Sequence, residues 1–167
     1  MTVRSAIIVA VFTAVFAIVA LGLVTAQSSD GTLKITGLAV GGAANELHSP
    51  ADRISESQIK ATDDAVVIKI ANAAIGRFES TSSMSPLLDN KSTAILIRPQ
   101  KAADINDGDI IAYQSQEAGG LVAHRVILTG SDEKGWFTVA KGDNSKINDP
   151  QKVRFGQIKY VVIGILY

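Results

Sequence analysis

A group of hydroxyl side chains lies just before a proline in the middle of the chain. Thr81, four serines and Met84 occupy residues 80–85, and Pro86 follows. Because proline stops a helix from continuing, a serine here can be held at the end of an extended segment, facing a cleft. A serine hydroxyl becomes a nucleophile only when a general base lies within hydrogen-bond reach. The first chemistry that the sequence offers is therefore nucleophilic attack by one of these serines.

The candidate base is His124, in the alternating sequence Val-Ala-His-Arg-Val at residues 122–126. Imidazole has an unperturbed pKa of about 6.5, so it is largely neutral and able to accept a proton near neutral pH. A lone histidine in a strand is more often a core residue satisfied by hydrogen bonding, so the assignment depends on the serine being close. The other histidine, His48, lies in a polar sequence before Pro50 and is interpreted as a solvated or capping residue.

Two aspartates are candidates for orienting the imidazole. A histidine base needs its tautomer and ring angle fixed, commonly by a carboxylate on the other ring nitrogen. Asp143 lies in a Gly-Asp-Asn sequence, where aspartate often caps its own turn. Asp149 precedes Pro150, which favours an extended backbone. The residues alone leave Asp143 and Asp149 as alternatives.

Short runs rich in valine and isoleucine must position these side chains. Gly- and Asp-rich turns separate the runs, which predicts a mainly β fold with one antiparallel sheet, coiled or barrel-like. We expect residues 27–64 to form a linker or insertion of uncertain structure, and residues 65–167 to form the β-domain. The predicted strands cover residues 65–70, 93–97, 109–113, 121–128, 136–141 and 158–166, with a further strand at 32–40.

The N-terminal stretch predicts one transmembrane helix over residues 6–26. No charged residue occurs from Ser5 to Ser29, and about 20 apolar residues cross a bilayer core of roughly 30 Å. Arg4 precedes the helix, so the positive-inside rule places residues 1–5 in the cytoplasm and the β-domain on the extracytoplasmic side of the cell membrane. The alternative is a cleavable secretory signal, since Val-Thr-Ala at residues 24–26 resembles a cleavage site.

Composition narrows the function further. The formal net charge is zero, so nothing indicates nucleic acid as a partner. Cysteine is absent, which removes disulfides, thiolate nucleophiles and cysteine-based metal sites. With only two histidines, a zinc site has few ligands to draw on. We therefore expect a hydrolase that works with side chains alone, with no metal and no cofactor.

Four short motifs, taken in order, carry a family resemblance. They are Ser-Met-Ser-Pro at 83–86, Gly-Asp-Ile-Ile at 108–111, His-Arg-Val at 124–126, and Lys-Gly-Asp-Asn at 141–144 followed by Asp149. The set resembles the ordered boxes of type I signal peptidases, and specifically the archaeal and endoplasmic-reticulum branch, which pairs a serine with a histidine. Bacterial relatives carry lysine where His124 stands. The resemblance covers the chain from about residue 70 to its last residue, together with the membrane segment.

The resemblance implies a role for each candidate residue. The serine immediately before the methionine, Ser83, would be the nucleophile, and His124 would be the base. Asp149 would complete the triad, with Asp143 supporting the loop. The Ser83 backbone N–H and the Thr81 hydroxyl would donate to the oxyanion, and removing one such donor typically costs about 2.7–4 kcal/mol of barrier.

The same resemblance implies the substrate, and two alternatives to it remain. The chain would be a membrane-anchored serine endopeptidase that removes signal peptides from exported preproteins, which bind as an added β-strand with small residues at −1 and −3. The bilayer and the secretion machinery would be its other partners. One alternative is a non-catalytic, membrane-tethered β-domain for binding or assembly, with Ser83 far from His124. Another is a relative of the same protease with one dedicated substrate.

Overall fold

The computed structural model describes residues 47–167, and the predicted membrane segment, its cytoplasmic tip and residues 27–46 lie outside that range. The described part is built from short strands joined by turns. The strands are β1 (Ile59–Ala61), β2 (Val66–Ile68), β3 (Ala74–Arg77), β4 (Thr93–Ile97), β5 (Ile110–Ser115), β6 (Gly120–Asp132), β7 (Gly135–Lys141), β8 (Val153–Arg154) and β9 (Ile158–Leu166). Single turns of 3₁₀ helix occupy Glu56–Gln58, Ala102–Asp104 and Phe155–Gln157.

Seven of the strands form one antiparallel sheet in the order β3-β4-β9-β5-β6-β7-β8, while β1 and β2 pair as a separate hairpin. The runs of valine and isoleucine at β4, β5, β7 and β9 suit a pleated, half-buried surface. The predicted mainly β class with antiparallel pairing is confirmed. β9 lies between β4 and β5, although it follows both in sequence.

Strand β6 changes partner along its length. Its first half pairs with β5, its second half pairs with β7, and the register shifts between Val126 and Leu128. A register shift of this kind bends a strand and increases its twist. Among the described strands, residues 120–124 are paired on one side only, so part of their backbone is open to another extended chain. His124 lies at the end of this open edge.

The two faces of the central strands pack two separate cores, since successive side chains of a strand point to opposite faces. Ile110 and Val162 belong to one core, together with Met84 and Leu88 from the segment after β3. Tyr113 belongs to the other core, with the opposite faces of β5 and β9. Fully burying a side chain such as leucine or methionine contributes about 1.5–3 kcal/mol. Met84 and Leu88 therefore fix the segment that carries Ser83 to the sheet.

Part of the predicted linker is closely attached to this domain. The Ala51 N–H donates to Asp109 Oδ1 at 3.1 Å, and the Arg53 guanidinium binds the other oxygen of the same buried carboxylate. The backbone carbonyl of His48 accepts from Arg125 at 3.3 Å. All described residues belong to one compact unit.

The strands that lead to the serine differ in detail from the prediction. The run at residues 65–70 forms β2, in a hairpin whose side chains are exposed, and it is β3 that leads directly to Ser83. β3 was not predicted because its sequence, Ala-Ile-Gly-Arg, holds a glycine and one large apolar residue. Within residues 47–167, no helix has the length and apolar character needed to cross a membrane.

Candidate active site

His124 and Asp149 form a hydrogen-bonded pair. The ring Nδ1 lies 2.9 Å from Asp149 Oδ1 and 2.8 Å from Oδ2, and both side chains are 14% exposed. His124 stands opposite Ile111 in the β5–β6 pairing. Asp149 reaches it from the loop after β7, where its own N–H donates to the Ala140 carbonyl at 2.8 Å. With Nδ1 facing the carboxylate, the pairing leaves Nε2 for a second partner.

Ser83 begins a turn after β3 and is half-buried. Its carbonyl oxygen accepts from the Asn144 N–H at 3.0 Å, and the Asn144 side chain donates to the Ser82 carbonyl at 3.1 Å. The Asp143 N–H lies 3.4 Å from Met84 Sδ. Ser82 has a φ of 59°, which is uncommon for a residue other than glycine. The turn at residues 142–144 therefore holds the backbone around Ser83 in place.

Gly142 lies close to both the Ser83 backbone and the His124 ring. A Cβ atom added at this position would stand 2.5 Å from the Ser83 carbonyl oxygen and 3.2 Å from His124 Nε2. The first distance is too short for any side chain, so only glycine lets the loop approach so closely. The Ser83 carbonyl and His124 Nε2 thus both border the position that a Gly142 side chain would occupy.

The Ser83 hydroxyl lies 3.3 Å from Thr81 Oγ1 and is not hydrogen-bonded to His124. Hydrogen bonds between a nucleophile and its base are often long in the absence of substrate and tighten in the complex. Within residues 47–167, no acceptor is bonded to the Ser83 N–H. Ser83, Thr81 and His124 all line one cavity.

Asp143 has a different partner. The Arg125 guanidinium donates to both of its carboxylate oxygens at 2.7 Å, and the two side chains are 8% and 10% exposed. Arg125 also donates to the Gly108 carbonyl at 2.9 Å. Arg125 and His124 are adjacent in β6 and point to opposite faces, so each aspartate meets one of them. Of the two alternatives, Asp149 contacts the imidazole and Asp143 does not.

The cavity has a volume of about 470 Å³ and runs between two strands that are not neighbours in the sheet. One wall comes from β3 and the residues after it, and the other from the open edge of β6. Apolar side chains predominate in the lining, which includes Phe78, Met84, Leu88, Leu96, Ala112, Leu121 and Val122. Such a cleft can hold an extended, small and apolar segment against the Ser83 turn.

Comparisons with protein-family models, with curated proteins and with solved structures gave no match for this chain. No group of three or more metal-ligating side chains is close enough to bind a metal ion within residues 47–167.

Two contacts at the site were not predicted. The Tyr113 hydroxyl donates to Asp149 Oδ2 at 2.6 Å, and Asn144 binds the backbone at Ser82 and Ser83. Burial and the adjacent Asp149 carboxylate both raise the pKa of Tyr113, so its hydroxyl stays protonated and remains a donor. A buried tyrosine needs a hydrogen-bond partner, which is the one signal the sequence carries for this contact.

Proposed function

We propose that this chain is a serine endopeptidase of the type I signal peptidase kind, of the branch that pairs serine with histidine. The observation that carries the proposal is the His124–Asp149 pair, with Nε2 and the Ser83 backbone both close to Gly142 and with His124 and Ser83 lining one largely apolar cavity. A carboxylate, an imidazole and a hydroxyl in this arrangement are the groups that acyl transfer needs.

The reaction would proceed in two halves. Neutral His124 takes the proton of the Ser83 hydroxyl as its oxygen attacks the scissile carbonyl, and the imidazolium then protonates the leaving amine. Asp149 stabilises the imidazolium. A water molecule, deprotonated by the same imidazole, hydrolyses the acyl-enzyme. The Ser83 N–H, and beside it the Thr81 hydroxyl, would donate to the oxyanion in both halves.

The substrate would lie in the cavity as an extended chain. The unpaired edge of β6 at residues 120–124 offers backbone donors and acceptors for an added strand, and β3 is the edge strand on the other side of the cavity. For one cavity to touch both strands, the sheet must curl on itself, which supports the expected coiled, barrel-like protease domain. The largely apolar lining suits apolar substrate side chains, and large side chains such as Phe78, Met84 and Leu96 limit the room at −1 and −3.

The proposal places the domain on the extracytoplasmic side of the cell membrane, tethered by residues 6–26. Tethering confines the enzyme to the plane in which signal peptides of preproteins emerge and so raises the effective concentration of substrate. The proposed function requires preproteins and the lipid bilayer as partners. Association with the secretion machinery would follow from the same location.

Removing the Ser83 hydroxyl or the His124 imidazole tests the proposal. In the full-length protein in detergent, Ser83→Ala and His124→Ala should each abolish cleavage of a signal-peptide precursor, followed by gel shift and mass spectrometry. Ser80→Ala is the matched control, since this serine is exposed in the same segment, and it should cleave as the wild type does. Cleavage retained by Ser83→Ala or His124→Ala would refute the assignment.

The pH dependence of cleavage tests whether His124 is the base, and the range of substrates cleaved distinguishes the proposed function from its alternatives. Activity should fall as the pH drops, because a protonated imidazole cannot accept the serine proton. Activity unchanged down to pH 4 would identify a different base.

A panel of unrelated precursors should all be cleaved. Cleavage of only one precursor would favour a protease with a dedicated substrate. Cleavage of none would favour a binding or assembly module.

A further inference from the structure

The Asp149 carboxylate is shared by two donors. His124 Nδ1 lies within 2.9 Å of both oxygens, and the Tyr113 hydroxyl donates to Oδ2 at 2.6 Å. Because either oxygen can serve the imidazole, His124 alone does not determine how the carboxylate is rotated. A second donor on Oδ2 removes that freedom.

The sheet itself brings the phenol to this point. Tyr113 stands opposite Val122 in the β5–β6 pairing, and His124 stands opposite Ile111. Residues two apart in a strand share a face, so Tyr113 and His124 are diagonal neighbours on one face of the sheet. The Tyr113 ring is only 5% exposed and packs in the core with Val126 and Val161. The hydroxyl is therefore held by rigid elements, whereas Asp149 is carried by a loop.

We propose that Tyr113 is a positioning residue that fixes the Asp149 carboxylate and takes up part of its charge, so that Asp149 orients His124 without holding the imidazolium too strongly. This inference rests on the proposed reaction for its effect on rate. A phenol suits the role because it donates a hydrogen bond without adding a positive charge. The raised pKa of Tyr113 keeps that donor in place throughout the working pH range.

Other charged groups line the two cavities that His124 borders. Glu117 and Lys152 line the second cavity, of about 270 Å³, which adjoins Tyr113, Asp149 and one side of His124. Arg77 and Glu79 line the larger cavity on the other side. All four remain unchanged in the variants below, so their effect on the imidazole is the same in each.

Tyr113→Phe removes the hydroxyl and keeps the ring in the core. The matched control is Tyr160→Phe, whose hydroxyl accepts from Arg98 on the opposite face of the sheet, next to Ala112 in the β5–β9 pairing. In full-length protein, the His124 imidazole is titrated by NMR, and the exposed His48 provides an internal reference. Tyr113→Phe should raise the titration midpoint of His124, because the unshared carboxylate attracts the imidazolium more strongly. Tyr160→Phe should leave it unchanged.

Precursor cleavage gives the second readout. Tyr113→Phe should lower kcat about tenfold with KM unchanged, a loss expected for one hydrogen bond to a charged group. In an Asp149→Asn background the same substitution should cost nothing further, since its effect passes through that carboxylate. An equal loss in both backgrounds, or a His124 midpoint that matches Tyr160→Phe, would overturn the proposal.

A third measurement leaves Tyr113 in place. Asp149→Asn should lower the pKa of Tyr113, followed by phenolate absorbance, because the neighbouring negative charge is gone. An unchanged phenol titration would contradict the contact itself. If the wild-type chain cleaves no precursor, the proposed function fails, whereas the imidazole and phenol titrations still decide whether Tyr113 and Asp149 act on His124.

Discussion

At the scale of single residues, the site is decided by which neighbour each aspartate meets. Asp143 and Asp149 come from the same loop, yet one binds a guanidinium and the other an imidazole. The cause is the alternation of side chains in β6, which sends Arg125 to one face of the strand and His124 to the other. A carboxylate paired with arginine holds structure, whereas a carboxylate on a histidine can stabilise the charge that forms during catalysis.

Asp149→Asn should therefore damage catalysis far more than folding. The amide cannot enforce the same imidazole tautomer, and in serine proteases the corresponding change lowers kcat by about 10⁴-fold. We expect a loss of this order in precursor cleavage, with the thermal midpoint little changed. Asp107→Asn, at an exposed loop position, serves as the control and should leave both kcat and the thermal midpoint unchanged. An Asp149→Asn protein with near-normal kcat would show that another group orients the ring.

At the scale of elements, the loop between β7 and β8 fastens the serine segment to the sheet. It is tied to β6 by the Arg125–Asp143 ion pair, to the Ser83 turn through Asn144, and to β7 through the Asp149 N–H. Gly142 permits the close approach on which these contacts depend. One loop thus contacts both the segment that carries Ser83 and the strand that carries His124, the proposed nucleophile and base.

Asp143→Ala should loosen this loop and leave Arg125 buried without its partner. Breaking a buried ion pair from one side costs about 3 kcal/mol of unfolding free energy, measured by urea denaturation. Cleavage should fall with it, because the Ser83 turn loses its support. Lys152→Met is the control: Lys152 is 46% exposed in its pair with Asp132, so its removal should shift the urea midpoint much less. Wild-type stability in Asp143→Ala would show that the ion pair does not fasten the loop.

At the scale of the whole molecule, the cavity exists because distant parts of one sheet face each other. β3 and β6 are separated by three strands in the sheet order, yet residues of both line the same space. The proposed substrate strand would bridge these two edges, and the shape of the cavity would then select small side chains beside the scissile bond.

A larger side chain in this cavity should impair cleavage of precursors while leaving the reactivity of Ser83 intact. Ala123 lines the cavity from β6 and is half-buried, so Ala123→Leu would project into it. For precursors with alanine at −1, kcat/KM should fall about tenfold or more, since even one methylene in an apolar pocket has effects of this size. Reaction of Ser83 with a small acylating probe should persist. Full cleavage of the same precursors by Ala123→Leu would place the substrate elsewhere.

The sequence by itself determined the β class, because short valine- and isoleucine-rich runs between turn clusters leave little else to form. It delimited β4 and β9 at residues 93–97 and 158–166, and it singled out Ser83, His124 and two candidate aspartates. It did not reveal β3, whose short sequence has a weak pattern, or the attachment of residues 47–53 to the domain.

Only the tertiary structure decided which aspartate reaches the imidazole, that Tyr113 binds the same carboxylate, and that Gly142 lies close to both Ser83 and His124. These contacts join residues far apart in sequence. Local pattern fixes the face of a strand on which a side chain lies, whereas strand order, register and loop path fix what that side chain meets.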